Sequence, residues 1–210
     1  MNKSTSTKPK GATSYKETAF GIIPRTKLLK LELEGTKRGL ELITKIHDSE
    51  ITPELIIKLH QETFGWIFPD WAGKYRTIRV EFSGKEAVSF RMIPELIKNL
   101  CDDLNIRLKN INKESEDFIN QVVELLAWFQ HRFVLIHPFQ DYNGRISRIL
   151  TVLILLKLNL PAIEIKASLG SDRKKYLESM YAADEGNYSK LEELIGNALN
   201  ESFVKINKHD

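Results

Sequence analysis

Apolar residues recur at helical spacing along most of the chain, most clearly through Phe118, Val122, Leu125, Leu126, Phe129, Phe133 and Ile136. Residues three and four apart share one helix face, so this spacing predicts an amphipathic helix. It should end at His137, because Pro138 disfavours helical geometry in the residue before it. A second stretch, Ile146 to Leu158, is so nonpolar that a helix there must be buried on most of its circumference. Asn143 is the predicted N-cap of that helix, which leaves only a short loop between the two.

The same pattern places further helices on either side. Leu28, Leu29, Leu33, Leu40, Ile43 and Ile46 mark an apolar face, and Gly35 and Gly39 within it predict a break or kink between two helices. Thr52-Pro53-Glu54 reads as a cap, a proline at the first helical position and an acid in the first turn, with Leu55, Leu59 and Phe64 facing inward. Thr77 to Phe82 and Ala87 to Met92 are rich in β-branched and aromatic residues around Ser83-Gly84-Lys85-Glu86, which predicts a hairpin. Pro94 restarts a helix carrying Ile97, Leu100, Cys101, Leu104 and Leu108. Beyond Leu160-Pro161, a helix with Tyr176, Leu177, Met180 and Tyr181 should close at Gly186. Ser189 and Glu192 form a candidate capping box for the last one. The fold class is therefore mainly α, with one small β-hairpin.

Composition narrows the function classes. The chain of 210 residues has length for one domain with a sizeable core and a short tail. Lys3, Lys8 and Lys10 among serines and threonines predict a flexible tail over residues 1–18, with a single domain over 19–210. The net charge of +3 is mild and spread out, so it gives no argument for nucleic acid or membrane, and neither is expected as a partner. The single cysteine, Cys101, sits on an apolar stripe and reads as a small buried hydrophobe. No signal core opens the sequence and no apolar run is long enough to span a bilayer, so the cytoplasm is the expected location.

The candidate chemistry lies where the two central helices meet. A helix N-terminus carries partial positive charge, so arginines are disfavoured there. Yet Arg145 stands in the first turn and Arg148 follows three residues later. Two guanidiniums on a positive dipole call for an anion of high charge, which reads as a polyphosphate site. His137 has the side chain whose ordinary pKa suits a general base near neutrality, and Asp141 is a carboxylate able to hold magnesium against phosphates. His47, His60 and His131 read as structural histidines.

These residues resemble the Fic/Doc proteins, whose motif is His-Pro-Phe-x-(Asp/Glu)-Gly-Asn-Gly-Arg-x-x-Arg. The match covers His137, Pro138, Phe139, Asp141, Asn143, Gly144, Arg145 and Arg148. Trp71 to Thr77 is similar to the stretch leading into the hairpin flap of that family, and the whole chain looks most like the subset called mobile mystery protein B. The resemblance implies a Fic-like helical bundle around the central helix-loop-helix, and transfer of AMP from ATP to a protein hydroxyl with pyrophosphate leaving. It implies His137 as base, Asp141 as ligand of Mg2+, Asn143, Gly144, Arg145 and Arg148 on the ATP phosphates, and Phe139 as anchor of the loop. The phosphotransferase branch of the family carries lysine where Gly144 stands, so glycine implies nucleotidyl transfer. The partners implied are ATP, an unidentified target protein and an antitoxin-like chain.

Tyr142 departs from the pattern, standing where the family has glycine or alanine; the favoured expectation is that its ring crowds the phosphate turn, and the alternative is that the phenol packs as a wall of the site. The alternative to an active transferase is a catalytically weak nucleotide- or anion-binding regulatory module of the same fold. Many Fic proteins also resemble one another in an inhibitory helix of Ser or Thr, three residues, Glu, then Gly or Asn. Glu34-Gly35 is the candidate here, with Lys30 in place of the Ser or Thr. The resemblance implies that its glutamate pairs with Arg148, the second arginine of the motif.

Overall fold

A computed structural model describes residues 15–167 and 170–208. Strands β1 (Tyr15–Thr18) and β2 (Gly21–Pro24) form an antiparallel hairpin with Tyr15 opposite Pro24. Of the stretch 1–18 expected as a tail, Tyr15–Thr18 are paired as β1, and residues 1–14 lie outside the described residues. Just past β1, the Ala19 N–H donates to the Ile67 carbonyl at 2.8 Å, which pins the hairpin to the body.

Helix α1 (Arg25–Ile46) runs unbroken through both glycines that were expected to break it. Its buried stripe is Leu28, Glu32, Gly35, Gly39 and Ile43, whereas Leu29, Leu33 and Leu40 of the expected face are exposed. The glycines serve close approach to α2 (Pro53–Phe64). A Cβ on Gly35 would lie 2.2 Å from the Thr63 carbonyl oxygen, and one on Gly39 would lie 2.5 Å from Thr63 Oγ1. Thr52 caps α2 as expected, its hydroxyl accepting from the Leu55 N–H at 3.2 Å.

The second hairpin is shorter than its sequence suggests. Only β3 (Glu81–Phe82) and β4 (Lys85–Glu86) pair, and Phe90–Met92 coil into a 3-10 turn. Ser83 and Gly84 form the connection with φ of +49° and +81°, the left-handed pair that a two-residue hairpin turn needs. The base of the hairpin is held by a side chain. The Arg76 guanidinium donates to the Ile78 carbonyl at 2.9 Å and to the Val88 carbonyl at 2.6 Å, taking acceptors that a longer ladder would have used.

The remaining helices are α3 (Ile93–Asn110), α4 (Phe118–Ile136), α5 (Asn143–Lys157), α6 (Gly170–Asp184) and α7 (Ser189–Ile206). Helix α4 lies at the centre and packs on α3, α5, α6 and α7, with Leu126, Ala127, Phe129 and Phe133 fully enclosed. Helix α5 is buried on nearly its whole circumference, as its composition predicts. A buried polar knot fixes the crossing of these helices. Gln130 accepts from Ser147 at 2.7 Å and from Thr151 at 3.2 Å, and donates to the Tyr176 hydroxyl at 2.8 Å. With every member bonded, the knot sets rotation and register at little cost in stability. The expected capping box of α7 does not form: Tyr188 is the cap residue, without a side-chain bond, and the Ser189 N–H donates to Asn187 Oδ1 at 3.1 Å. Cys101 is buried, which pushes its thiol up to about 12. Among the described residues no helix is long and apolar enough to cross a membrane.

Candidate active site

The loop between α4 and α5 opens and closes on residues with left-handed backbone, His137 at φ +51° and Tyr142 at φ +63°. Such conformations cost a residue with a Cβ roughly 1 kcal/mol or more and persist where the surroundings over-determine them. Here Asn143 does much of that work. Its Oδ1 accepts from the Phe139 N–H and its Nδ2 donates to the Phe139 carbonyl, both at 2.8 Å. The Asn143 side chain, which the resemblance implied on the phosphates, is here a staple across the loop, with both ends of its amide engaged there. It is also the first residue of α5, while Tyr142 occupies the cap position predicted for it.

Phe139 is fully buried and stacks on the His60 ring at 3.8 Å. His60 is a structural histidine. Its Nδ1 accepts from the Gly73 N–H at 2.8 Å, which leaves Nε2 to donate to the Asp141 carbonyl at 3.2 Å. Burial holds it neutral, with a pKa lowered to about 4. The Asp141 carboxylate accepts from the Tyr142 N–H at 2.7 Å, which turns it at the end of the loop next to α5.

His137 projects from the end of α4 with its ring held on two sides. A carbonyl only accepts, so the contact of Nδ1 with the Val134 carbonyl at 3.3 Å puts the proton on Nδ1 and leaves Nε2 as the acceptor. Phe82 of the hairpin stacks on the imidazole at 4.3 Å and 13°. Burial lowers the pKa to about 4, with the Arg76 charge acting in the same direction and the Val134 bond and Asp141 opposing it. The ring is neutral and proton-accepting at physiological pH. Arg76, which the sequence reading did not single out, fixes the backbone beneath: its Nε donates to the His137 carbonyl at 2.7 Å, and its own N–H to the Pro138 carbonyl at 2.9 Å. The signal available for it was its place immediately before a predicted strand, and its chemistry lies in carbonyls that a sequence does not reveal.

Arg145 and Arg148 emerge one turn apart from α5. Gly144 keeps the backbone open beside them, since a Cβ there would lie 3.3 Å from Arg148 Nη1. Among the described residues Arg148 forms no hydrogen bond or ion pair, and burial lowers its pKa. Arg145 is already engaged: its Nη2 meets Glu32 Oε2 at 2.7 Å, while Nη1 is buried without a partner. The other oxygen of Glu32 accepts from the Tyr142 hydroxyl at 2.5 Å. An acid from α1 therefore reaches the first arginine of α5, but it is Glu32 on Arg145, where the resemblance implied Glu34 on Arg148. Glu34 points to the outer face of α1, where it pairs with Arg38 at 3.5 Å, both side chains about half exposed. The inward stripe of Leu28, Glu32, Gly35 and Gly39 explains the difference, because Glu34 lies about 200° around the helix from Glu32. An acid on a stripe of close-packing glycines was the signal in the sequence.

Tyr142 does not crowd the phosphate turn. It is 8% exposed, stacks on Phe64 at 4.1 Å and on Trp71 at 5.9 Å, and sends its hydroxyl to Glu32. Among the described residues no group of three His, Cys, Asp or Glu side chains is placed to hold a metal ion by itself. One carboxylate in a loop that leads into two arginines still fits magnesium, which keeps several waters and takes one or two carboxylates together with substrate phosphates.

Comparison with known proteins agrees with this layout. The Fic/DOC family matches residues 50–155, which contain α2, the hairpin, and α3 through most of α5. The chain is 30% identical over 146 residues to a Caenorhabditis elegans protein named protein adenylyltransferase fic-1, covering 70% of this chain and 26% of that protein. It is also 30% identical over 174 residues to protein adenylyltransferase Fic of Nematostella vectensis, covering 81% of this chain and 38% of that protein. It thus spans only about a quarter to two fifths of these curated relatives. In fold it is similar to a Fic domain containing signaling protein from Bacteroides thetaiotaomicron, with a TM-score of 0.68 and 24% identity over 82% of this chain and 69% of that one. A solved segment of C. elegans Fic-1 aligns with a TM-score of 0.65 and 24% identity over 86% of this chain and 52% of that one. The loop stapled by Asn143, the two arginines of α5 and the match across residues 50–155 converge, and the chain belongs to the Fic/DOC family.

Proposed function

We propose that this chain is a protein adenylyltransferase, moving AMP from ATP to a hydroxyl side chain of a target protein. The observation that carries the reading is the state of His137: its proton is committed to Nδ1 by the Val134 carbonyl, so Nε2 is a neutral acceptor. A protein hydroxyl is a weak nucleophile until its proton is taken. In the proposed step Nε2 takes that proton while the hydroxyl oxygen forms a bond to the α-phosphorus. The bond from the α-phosphorus to the bridging oxygen breaks, and pyrophosphate leaves with its electron pair. Arg148, and Arg145 once freed, stabilise the charge on the phosphates. Gly144 lets the nucleotide approach the α5 backbone. Asp141 is the residue that would hold Mg2+, which when bound would neutralise phosphate charge.

The pair of Glu32 with Arg145 supports a controlled form of this activity, since the carboxylate occupies a guanidinium that the phosphates need. It equally favours the second reading, a nucleotide-binding regulatory module with little turnover. The cytoplasm, an unidentified target protein and a separate antitoxin-like chain acting on the Glu32 contact belong to the same proposal. Incubation with labelled ATP, Mg2+ and a cell lysate separates the two readings. Labelling that drops by roughly two to four orders of magnitude in His137→Ala, with folding intact, is the expected result. Equal labelling by mutant and parent removes His137 from the mechanism.

A further inference from the structure

The hairpin does more than cover the site edge, because its tip is fastened to a different part of the molecule from its base. At the base, Arg76 holds the Ile78 and Val88 carbonyls. At the tip, Lys85 Nζ bonds to Asp184 Oδ2 at the end of α6, and the Tyr181 hydroxyl donates to the Ser83 carbonyl at 3.1 Å. Asp184 is itself held in place. Its Oδ1 accepts from His131 Nε2 at 3.0 Å, and His131 Nδ1 in turn accepts from the Tyr188 hydroxyl at 3.1 Å. The relay spans α4, α6 and the start of α7, so the acid that meets Lys85 is set by three packed elements. Lys85 and Asp184 are only 33% and 22% exposed, which separates them from the solvated pairs whose contribution is close to nothing.

The residue this fastening controls is Phe82. It is the last residue of β3, adjoining the turn, and its ring lies 4.3 Å from the His137 imidazole at 13°. Beneath the tip is a cavity of only about 50 Å³, lined by Phe82, Lys85, Val134, Tyr176, Met180 and Asp184. Space of that size admits a few water molecules and no sizeable ligand, so the hairpin lies close on the body. An imidazole whose only polar tie among the described residues is a 3.3 Å bond to Val134 can rotate out of line, and an aromatic plate against its face restricts that rotation.

We propose that Phe82 is a positioning residue for His137, and that the Lys85–Asp184 pair is the latch that keeps it there. The plate fixes the imidazole plane so that Nε2 faces the incoming hydroxyl, and the latch fixes the plate. This rests on the reading of His137 as the base, although both contacts can be examined without turnover.

The experiment uses the full chain in two arms. Amide hydrogen exchange over residues 80–87 is compared in the parent, Lys85→Met, Asp184→Asn and the double variant. The latch predicts exchange faster by roughly fivefold or more in each single variant, with little further gain in the double. Unchanged exchange in Asp184→Asn overturns the latch. In the second arm, 15N spectra of the imidazole report the tautomer. A single Nδ1–H form in the parent and in Phe82→Tyr, with a mixture in Phe82→Ala, is expected. A single form in Phe82→Ala overturns the positioning role. If both arms succeed while His137→Ala still labels its target at the parent rate, the assignment of His137 as base is what fails, and the aromatic plate and its latch stand.

Discussion

Replacing Glu32 by glutamine should lower stability and raise nucleotide affinity in the same protein. Glutamine keeps the shape and still accepts from the Tyr142 hydroxyl, so the change removes chiefly the charge facing Arg145. Breaking a fully buried pair costs about 3–5 kcal/mol. Arg145 is 31% exposed and Glu32 only 8%, so solvent recovers part of that cost and about 1–2 kcal/mol is expected. For a chain of this size that is a fall in Tm of roughly 2–8 °C. On the other side, a guanidinium released to a phosphate gains a charge-assisted hydrogen bond of about 1.5–3 kcal/mol, or at least tenfold in Kd for ATP. Thermal melting and calorimetric titration with ATP and Mg2+ measure the two effects separately. Arg145→Ala added to Glu32→Gln should cancel the gain in affinity, and Glu34→Gln should leave both quantities within about 0.5 kcal/mol of the parent. A Tm that falls while affinity stays flat or drops would leave Glu32 as a structural partner of Arg145 and no more.

Gly35→Ala should cost about 2 kcal/mol despite the helix propensity it gains, because the new methyl would sit 2.2 Å from a backbone oxygen that has no rotamer to escape into; chemical denaturation measures it. Tyr142→Gly should lower the melting temperature by roughly 4–16 °C, since about 2–4 kcal/mol of aromatic packing is lost against relief of one left-handed residue, with no rise in turnover. The pH dependence follows from His60 and His137, whose folded pKa values of about 4 lie below the ordinary 6.5. The unfolded chain binds more protons between those values, so stability is full above about pH 6.5 and falls as the pH drops towards 4, by up to about 1.4 kcal/mol per pH unit for each ring. A pH series of denaturation curves should be shallower for His137→Ala than for the parent.

Residue spacing within one segment specifies those parts of the protein that a single segment builds. The helix ending at His137, the buried helix carrying Arg145 and Arg148, and the Thr52 cap all follow from periodicity and from proline chemistry, which act over a few residues. The motif residues were legible for the same reason, as they lie in one short loop and the helix turn after it. Tertiary structure alone decided what comes to that loop from a distance. Leu29, Leu33 and Leu40 look like a core face on paper, yet the true inward stripe holds Glu32 and two glycines, because what α1 needs is closeness to α2. Apolar periodicity cannot report a face chosen for lack of side chains. The 110 residues between Glu32 and Tyr142, and the 61 between Arg76 and His137, separate partners whose contact exists only once the bundle has packed. The lone Tyr142 was visible as a departure from its family. That its ring joins the aromatic core and lends its hydroxyl to an acid from another helix was decided by the left-handed turn at its own backbone and by the rings waiting on α2 and the loop after it.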